Sequence, residues 1–344
     1  YNPSSDKDLE EQARKDGIQP VQMQVIENDK VEIKKVYLGM VMLYEDKKEV
    51  IPVIQTTAGL EYLISTKIKS LIDIDKKTIG FVDLNSSSPM KIDNLSSQLS
   101  QHYTFNPVDL NSPISPEIDV LLVSGTIDSV GDATLSSLRT FLDNGKSVFM
   151  SQGRIFTDIQ TQQAYPIESD IFDFMSEYGL NLQPNLVLDD HCSSVQVQER
   201  RGIFMMNRPM EYPFFPIIQS FNSDEIVVSD LEQVLPFFPS EIKIDSILND
   251  KIIAVVELFK SSNNSGTMES NWMLSPDPQQ NPFIRMLGQQ GKIIAASSKL
   301  MNGGELFLIS DSKFLSDESG MSVKDNLTFL MNAVDYLAGD EDLI

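Results

Sequence analysis

The sequence predicts an α/β protein in which a small α+β unit precedes a larger parallel-sheet domain. Three observations carry that expectation. Residues 118–152 read as strand, helix, strand with short joints, the pattern of a right-handed crossover between parallel strands. Further short apolar runs, at 78–82, 252–259, 293–296 and 305–309, offer more strands for one sheet. Before Lys76 the pattern instead alternates apolar and polar residues around tight turns, which suits hairpins.

Each element has a local reason. Val120, Leu121, Leu122 and Val123 form an unbroken apolar run ending in Ser124-Gly125, as in a strand covered on both faces. Leu135, Leu138, Phe141 and Leu142 recur at three- and four-residue spacing, so one side of a helix is apolar. Asp128 or Ser129 is placed to cap its start, and Asn144-Gly145 to stop it. Residues 147–151 make the second covered strand, followed by Gly153.

Ahead of this stretch, residues 6–16 are charged, with Leu9 and Ala13 at helical spacing and Gly17 as a stop. Residues 18–25 and 31–35 alternate as half-exposed strands, and 37–44 are apolar almost throughout. A tight turn at Asp46-Lys47-Lys48 leads to a strand over 49–55. Thr56 then opens an amphipathic helix with Leu60, Leu63, Ile64, Ile68 and Leu71 inward. Residues 1–75 are expected as one unit and 76–344 as the other. The second begins with strand 78–82, helix 92–100 and strand 103–105.

After the crossover, 171–178 is a helix stopped by Gly179, and 185–188 leads into Asp189-Asp190-His191-Cys192. Between about 195 and 245 five prolines, from Pro209 to Pro239, interrupt every periodicity. Tyr212, Phe214, Phe215, Phe221, Phe237 and Phe238 crowd the same region, so an irregular insertion is expected there. Residues 263–280 read as an exposed loop carrying Trp272, Asn302-Gly303-Gly304 as a hairpin joint, and 325–337 as a closing helix. That helix would bury Leu327, Leu330, Met331, Val334 and Leu337.

A chain of 344 residues exceeds one ordinary core, which also argues for two domains. It holds 27 Lys and Arg against 50 Asp and Glu, a net charge of −23. Such a field repels phosphate backbones, so nucleic acid is not an expected partner. One cysteine, Cys192, allows no internal disulfide. No run approaches the roughly 20 apolar residues of a membrane helix. The opening Tyr1-Asn2-Pro3 reads as an excised start, with targeting and anchoring segments expected outside the chain.

Neither G-x-x-x-x-G-K-[ST] nor G-x-G-x-x-G occurs, so nucleotide hydrolysis is not expected. Cys192 adjoins His191, but neighbours on a strand point to opposite faces. Asp189, Asp190 and His191 offer donors to a metal, or equally cap a turn, and no metal or cofactor is expected. In an open α/β sheet, ligands sit beyond the carboxyl ends of the strands. There, Gly125, Thr126, Gly153, Arg154, Asp311 and Ser312 would hold an anion or a sugar, or serve as helix caps. Tyr212, Phe214 and Phe215 offer either an exposed interface patch or a lid on the sheet.

Several runs together resemble the gliding-motility GldG group of ABC-transporter auxiliary proteins. They are residues 13–21, 37–39 and 44–52, then 118–125, 141–154, 185–189, 212–216 and 306–315, and the close at 326–344. The resemblance implies a membrane-anchored protein with its soluble part on the periplasmic face of the inner membrane. Its partners would be an ABC permease and a separate ATPase subunit, with a cargo protein or glycan. It also implies a glutamine-amidotransferase-like (flavodoxin-like) second domain, a fold shared with an intraflagellar-transport subunit. The cysteine elbow of that fold is absent at Ser124-Gly125 and Ser151–Gly153. The front unit resembles half a thioredoxin-like fold, with Gln19-Pro20 at its cis-proline position and no C-x-x-C.

The expected function is therefore a non-catalytic extracytoplasmic accessory domain of an ABC transporter complex, not an enzyme. A carbohydrate- or peptide-binding module is the alternative, motivated by the strand-end hydroxyls and Trp272. A hydrolase using Cys192 with His102 is the third.

Overall fold

The apolar run at 120–123 is a fully buried strand in the computed structural model. The structure describes residues 7–27, 30–54, 60–72, 76–85, 89–201, 204–229, 231–277, 279–285 and 287–339. The chain divides into two units, residues 1–76 and 77–342.

In the first unit α1 (Lys7–Lys15) carries Asp8 and Glu10 in its first turn and Arg14 and Lys15 in its last, as the helix dipole favours. Gly17, at φ +89°, ends it. Two antiparallel hairpins follow, β1 (Pro20–Glu27) with β2 (Lys30–Tyr37), and β3 (Met40–Tyr44) with β4 (Lys47–Ile51). The second turn falls at Glu45-Asp46, one residue earlier than expected, with Glu45 at φ +50°. Helix α2 spans Leu60–Ile72, and its expected start at Thr56 lies outside the described residues. Leu71 is buried there, but Ile68, expected inward, is exposed. No peptide bond among the described residues is cis, so Gln19–Pro20 is trans, against the expectation from the thioredoxin-like resemblance.

The second unit is a mixed α/β domain built on an eight-stranded, parallel-rich sheet. Its first half comprises β5 (Thr78–Val82), α3 (Asp93–Leu99), β6 (Thr104–Pro107), β7 (Val120–Val123), α4 (Asp132–Asp143) and β8 (Ser147–Ser151). A small hairpin, β9 (Ile155–Asp158) with β10 (Gln163–Pro166), precedes α5 (Ile171–Glu177), β11 (Leu180–Leu182) and β12 (Leu186–Asp189). Then come β13 (Cys192–Arg201), β14 (Phe204–Pro216), β15 (Ser220–Phe221), β16 (Ile242–Ile244), β17 (Ile252–Lys260) and β18 (Ser265–Met268). The chain closes with β19 (Ile293–Leu300), β20 (Glu305–Ile309) and α6 (Lys324–Leu337).

Sheet order is β15-β17-β19-β20-β8-β7-β5-β6. From β20 to β6 neighbours run parallel; β15, β17 and β19 are added antiparallel. Strand alternation sorts side chains to two faces. Val120 and Leu122 join the cluster beneath α3 and α6, with Leu95, Phe149, Phe307 and Phe329. Leu121 and Val123 join Leu135, Leu138 and Phe141 of α4 and Phe174 of α5 on the other face. Phe149 sits among three rings, with Phe307 and Phe314 at 6.4 Å and Phe329 at 6.1 Å between centroids.

Helix α4 starts differently from the expectation. Its N-cap is Gly131 at φ +86°, with no capping side chain of its own. The Asp170 carboxylate supplies the missing acceptors, taking Val130 N at 2.8 Å and Gly131 N at 2.9 Å. A residue some forty positions away thereby replaces Asp128 or Ser129 as the cap.

The expected irregular insertion is half regular. β13 and β14 form a long antiparallel ribbon, in register from Ser194 opposite Glu211 to Arg201 opposite Phe204. Pro209 sits inside it, opposite Gln196, because a two-stranded ribbon leaves one side of each strand unpaired. The base of the ribbon carries a third core cluster. Tyr212 and Phe214 are 1% and 0% exposed, and Phe215 and Phe238 pack with them. Ile155, Leu186, Leu188 and Met268 complete it, and Trp272 is half-buried against it rather than exposed. Residues 265–268, expected as loop, are strand β18 paired with β12.

Candidate functional site

Adjacent strands β7, β8 and β20 bring the three expected strand ends together, and the junction is filled. A Cβ on Gly125 would lie 2.8 Å from the Ser312 Cβ and 2.9 Å from the Ser151 carbonyl oxygen. Only glycine fits there, because backbone and side chain already occupy the space. Gly153 N donates to Ser312 Oγ at 2.8 Å, and Ser151 Oγ donates to the Asp311 carbonyl at 2.5 Å. The Gln152 amide spans the gap, accepting from Thr126 N at 2.7 Å and donating to Thr126 O at 3.1 Å.

Two charged groups at this junction have the chemistry to hold a ligand, and both are engaged internally. The Arg154 guanidinium donates to the Leu182 carbonyl at 2.5 Å and lies 4.5 Å from the Phe172 ring. Asp311 is buried, its carboxylate accepting Phe237 N and Lys313 N, each at 2.8 Å. Burial pushes its pKa up to about 6, against the backbone donors and Lys313, which lower it. Gly125, Thr126, Gly153, Arg154, Asp311 and Ser312 are thus brought together, but as a packed polar seam. The seam ties the insertion to the sheet: Phe237 N reaches Asp311, and Arg154 N donates to Ser240 Oγ at 3.0 Å. The expected crevice for an anion or sugar is closed.

Tyr212, Phe214 and Phe215 also leave the expected interface, because their rings form core. The Tyr212 hydroxyl donates to the Leu274 carbonyl at 2.7 Å, and burial raises its pKa. The polar end of the ring is satisfied inside the protein.

Cys192 opens β13 half-buried, its thiol pushed up to about 11 by burial. Glu211, Asp189 and Asp190 raise it further, while only the Tyr212 amide opposes them. A nucleophilic cysteine needs the reverse, a nearby cation that favours thiolate. His191 presents Nδ1 to the Ile217 carbonyl at 2.9 Å. His102 follows α3 at the β6 edge of the sheet. Asp189 accepts from His191 N at 2.9 Å, Ser262 N at 2.6 Å and Ser262 Oγ at 2.6 Å. Asp190 accepts from Asn264 Nδ2 at 2.8 Å, so both carboxylates tie turns. Among the described residues no three His, Cys, Asp or Glu side chains gather as a metal-binding group.

One concavity lies where no motif pointed. A groove of about 330 Å³ beside edge strand β6 is lined by Thr78, Asn106, Val108, Pro113, Ile114 and Ile118, among others. The proline-rich joint over 107–118 shapes it, and turn composition is its only sequence signal.

Residues 76–333 match the family described as "ABC-type uncharacterized transport system" (ABC_transp_aux). An uncharacterized protein of Borreliella burgdorferi is 24% identical over 357 residues, covering 95% of this chain and 67% of the relative. The mmIFT52 N-terminal domain has a TM-score of 0.50 at 12% identity, covering 75% of this chain and 96% of that one. That likeness is one of fold. A putative GMP synthase component from Thermoplasma acidophilum, a glutamine-amidotransferase-like structure, has a TM-score of 0.41 at 10% identity, covering 78% and 98%.

Proposed function

The chain belongs to this auxiliary family of ABC-type transport systems, and from that premise we propose that it is a non-catalytic accessory domain. In this reading it works on the periplasmic face of the inner membrane, held by anchors outside the chain. It docks on the permease of the system, on a partner protein or on cargo, as a GldG-like component beside a separate ATPase. The observation that carries the reading is the extent of the family match, which spans the whole sheet domain rather than one motif.

The strand ends support it. Enzymes of open α/β architecture keep their chemistry beyond the carboxyl ends of the strands. Here that position is occupied by the protein's own hydrogen bonds, and the lone thiol is held protonated. Such a body recognises partners through its outer surfaces. The groove beside β6 is the concavity we assign to a partner segment. Among the described residues no helix is long and apolar enough to cross a membrane.

Co-purification tests the proposal. The full-length protein, expressed with its permease and extracted in mild detergent, is expected to retain the permease in stoichiometric amount. Separation of the two under the mildest conditions that keep both folded would overturn it.

A further inference from the structure

The β13–β14 ribbon differs from the body that carries it. Residues 77–344 hold 16 Lys and Arg against 36 Asp and Glu, a net −20. Within the ribbon, residues 196–210 reverse the sign: Arg200, Arg201 and Arg208 stand against Glu199 alone. Three of the seven arginines of the chain therefore fall in one fifteen-residue stretch. Met205 and Met206 in the same stretch are 63% and 54% exposed. Asn207, Arg208 and Pro209 beside them, and Gln196 and Gln198 on the other strand, are exposed too. Two adjacent large apolar side chains in water, next to arginine, are not explained by packing.

Reach matters here. From the pair Gln196–Pro209 to the pair Arg201–Phe204 the ribbon extends six rungs, roughly 17–20 Å at the strand rise. Physiological salt screens charge over about 8 Å. The ribbon's far end therefore lies beyond the field of the acidic body, where it meets a surface as a cationic, apolar element.

We infer that this ribbon is a membrane-touching arm, its arginines engaging anionic phospholipid headgroups and its methionines entering the interface. Basic residues give headgroup attraction, and exposed apolar side chains give shallow insertion; the pairing of the two distinguishes a lipid surface from simple solvation. The inference rests on the ribbon alone and does not require the transport-system reading. Its failure leaves permease docking untouched, and the reverse holds as well.

Vesicle flotation of the 344-residue chain tests it, at 50 mM salt with phosphatidylglycerol–phosphatidylcholine or pure phosphatidylcholine vesicles. The wild type is expected to float with the anionic vesicles, to release at high salt, and to stay behind with the neutral ones. Each arginine contributes about fivefold to partitioning, so the triple change R200E/R201E/R208E should weaken it by about a hundredfold or more. The pair M205D/M206D should weaken it at least about tenfold with all three arginines in place. Both variants should melt like the wild type, since the ribbon's outer half lies outside every core cluster. Absence of wild-type flotation, equal binding to neutral vesicles, or full binding by either variant would overturn the inference. Retention on immobilised polyglutamate without vesicle binding would also overturn it, pointing to an acidic protein surface.

Discussion

In residues 77–342 the large apolar side chains go inside, while in residues 1–76 many of them stay in water. The second unit sorts its leucines, valines and phenylalanines into three clusters, two on the faces of the sheet and one under the ribbon. Among its described residues, the first unit buries Ala13, Ile51 and Leu71. It leaves Met23, Ile33, Leu38, Leu43, Tyr44, Ile68 and Ile72 exposed. Charge divides them as well, because 14 acidic and 11 basic residues give the first unit a net of only −3. The acidic, well-packed unit is built to remain folded in solution. The near-neutral unit, with open apolar hairpins, has surface left for another protein to cover.

The sharpest way to break this contrast is truncation on each side of it. Phe149→Ala removes a ring packed among three others and should cost the second unit about 3–5 kcal/mol in urea unfolding. Leu43→Ala, at a site 73% exposed, should change stability by less than about 0.5 kcal/mol. Equal effects would remove the distinction.

A smaller effect lies in the seam. The folded-state pKa of Asp311, about 6, stands above its ordinary value, so the folded protein binds more protons between roughly pH 4 and 6. Stability from this group is therefore present at low pH and falls as pH rises through that window, by about 3 kcal/mol in all. Comparing urea midpoints of the wild type and Asp311→Asn from pH 4 to 7 isolates it, since only the wild type should carry the slope. Parallel curves would refute the assignment.

Smallest is the cap on α4. Asp170→Ala strands the amides of Val130 and Gly131 and should cost about 1 kcal/mol by thermal melting. Asp128→Ala, at the cap expected from sequence, should cost less, because its carboxylate makes neither of those bonds.

Periodicity made the sheet domain legible. Fully covered strands such as Val120–Val123 and Ser147–Ser151 are apolar or nearly so throughout, and each lies next to a helix with one apolar side. The ribbon was not legible, because Pro209, Pro213 and Pro216 read as breaks where a two-stranded ladder tolerates them. The aromatic cluster was legible as composition but not as burial, since chemical type alone does not say whether Tyr212 and Phe214 pack inward. Gly125 and Gly153 were found as a pair with Ser312, yet their spacing to the next strand, which closes the seam, is a tertiary fact. Asp170 capping α4 is equally non-local.

Trp272, the chain's lone indole, rests against the cluster under the ribbon and belongs to neither sheet-face cluster. Its fluorescence is consequently a private optical reporter. A red shift marks loosening of that one subassembly, while the far-ultraviolet signal follows the remainder of the polypeptide. Engagement of the neighbouring segment by any binder can be watched without attaching a dye.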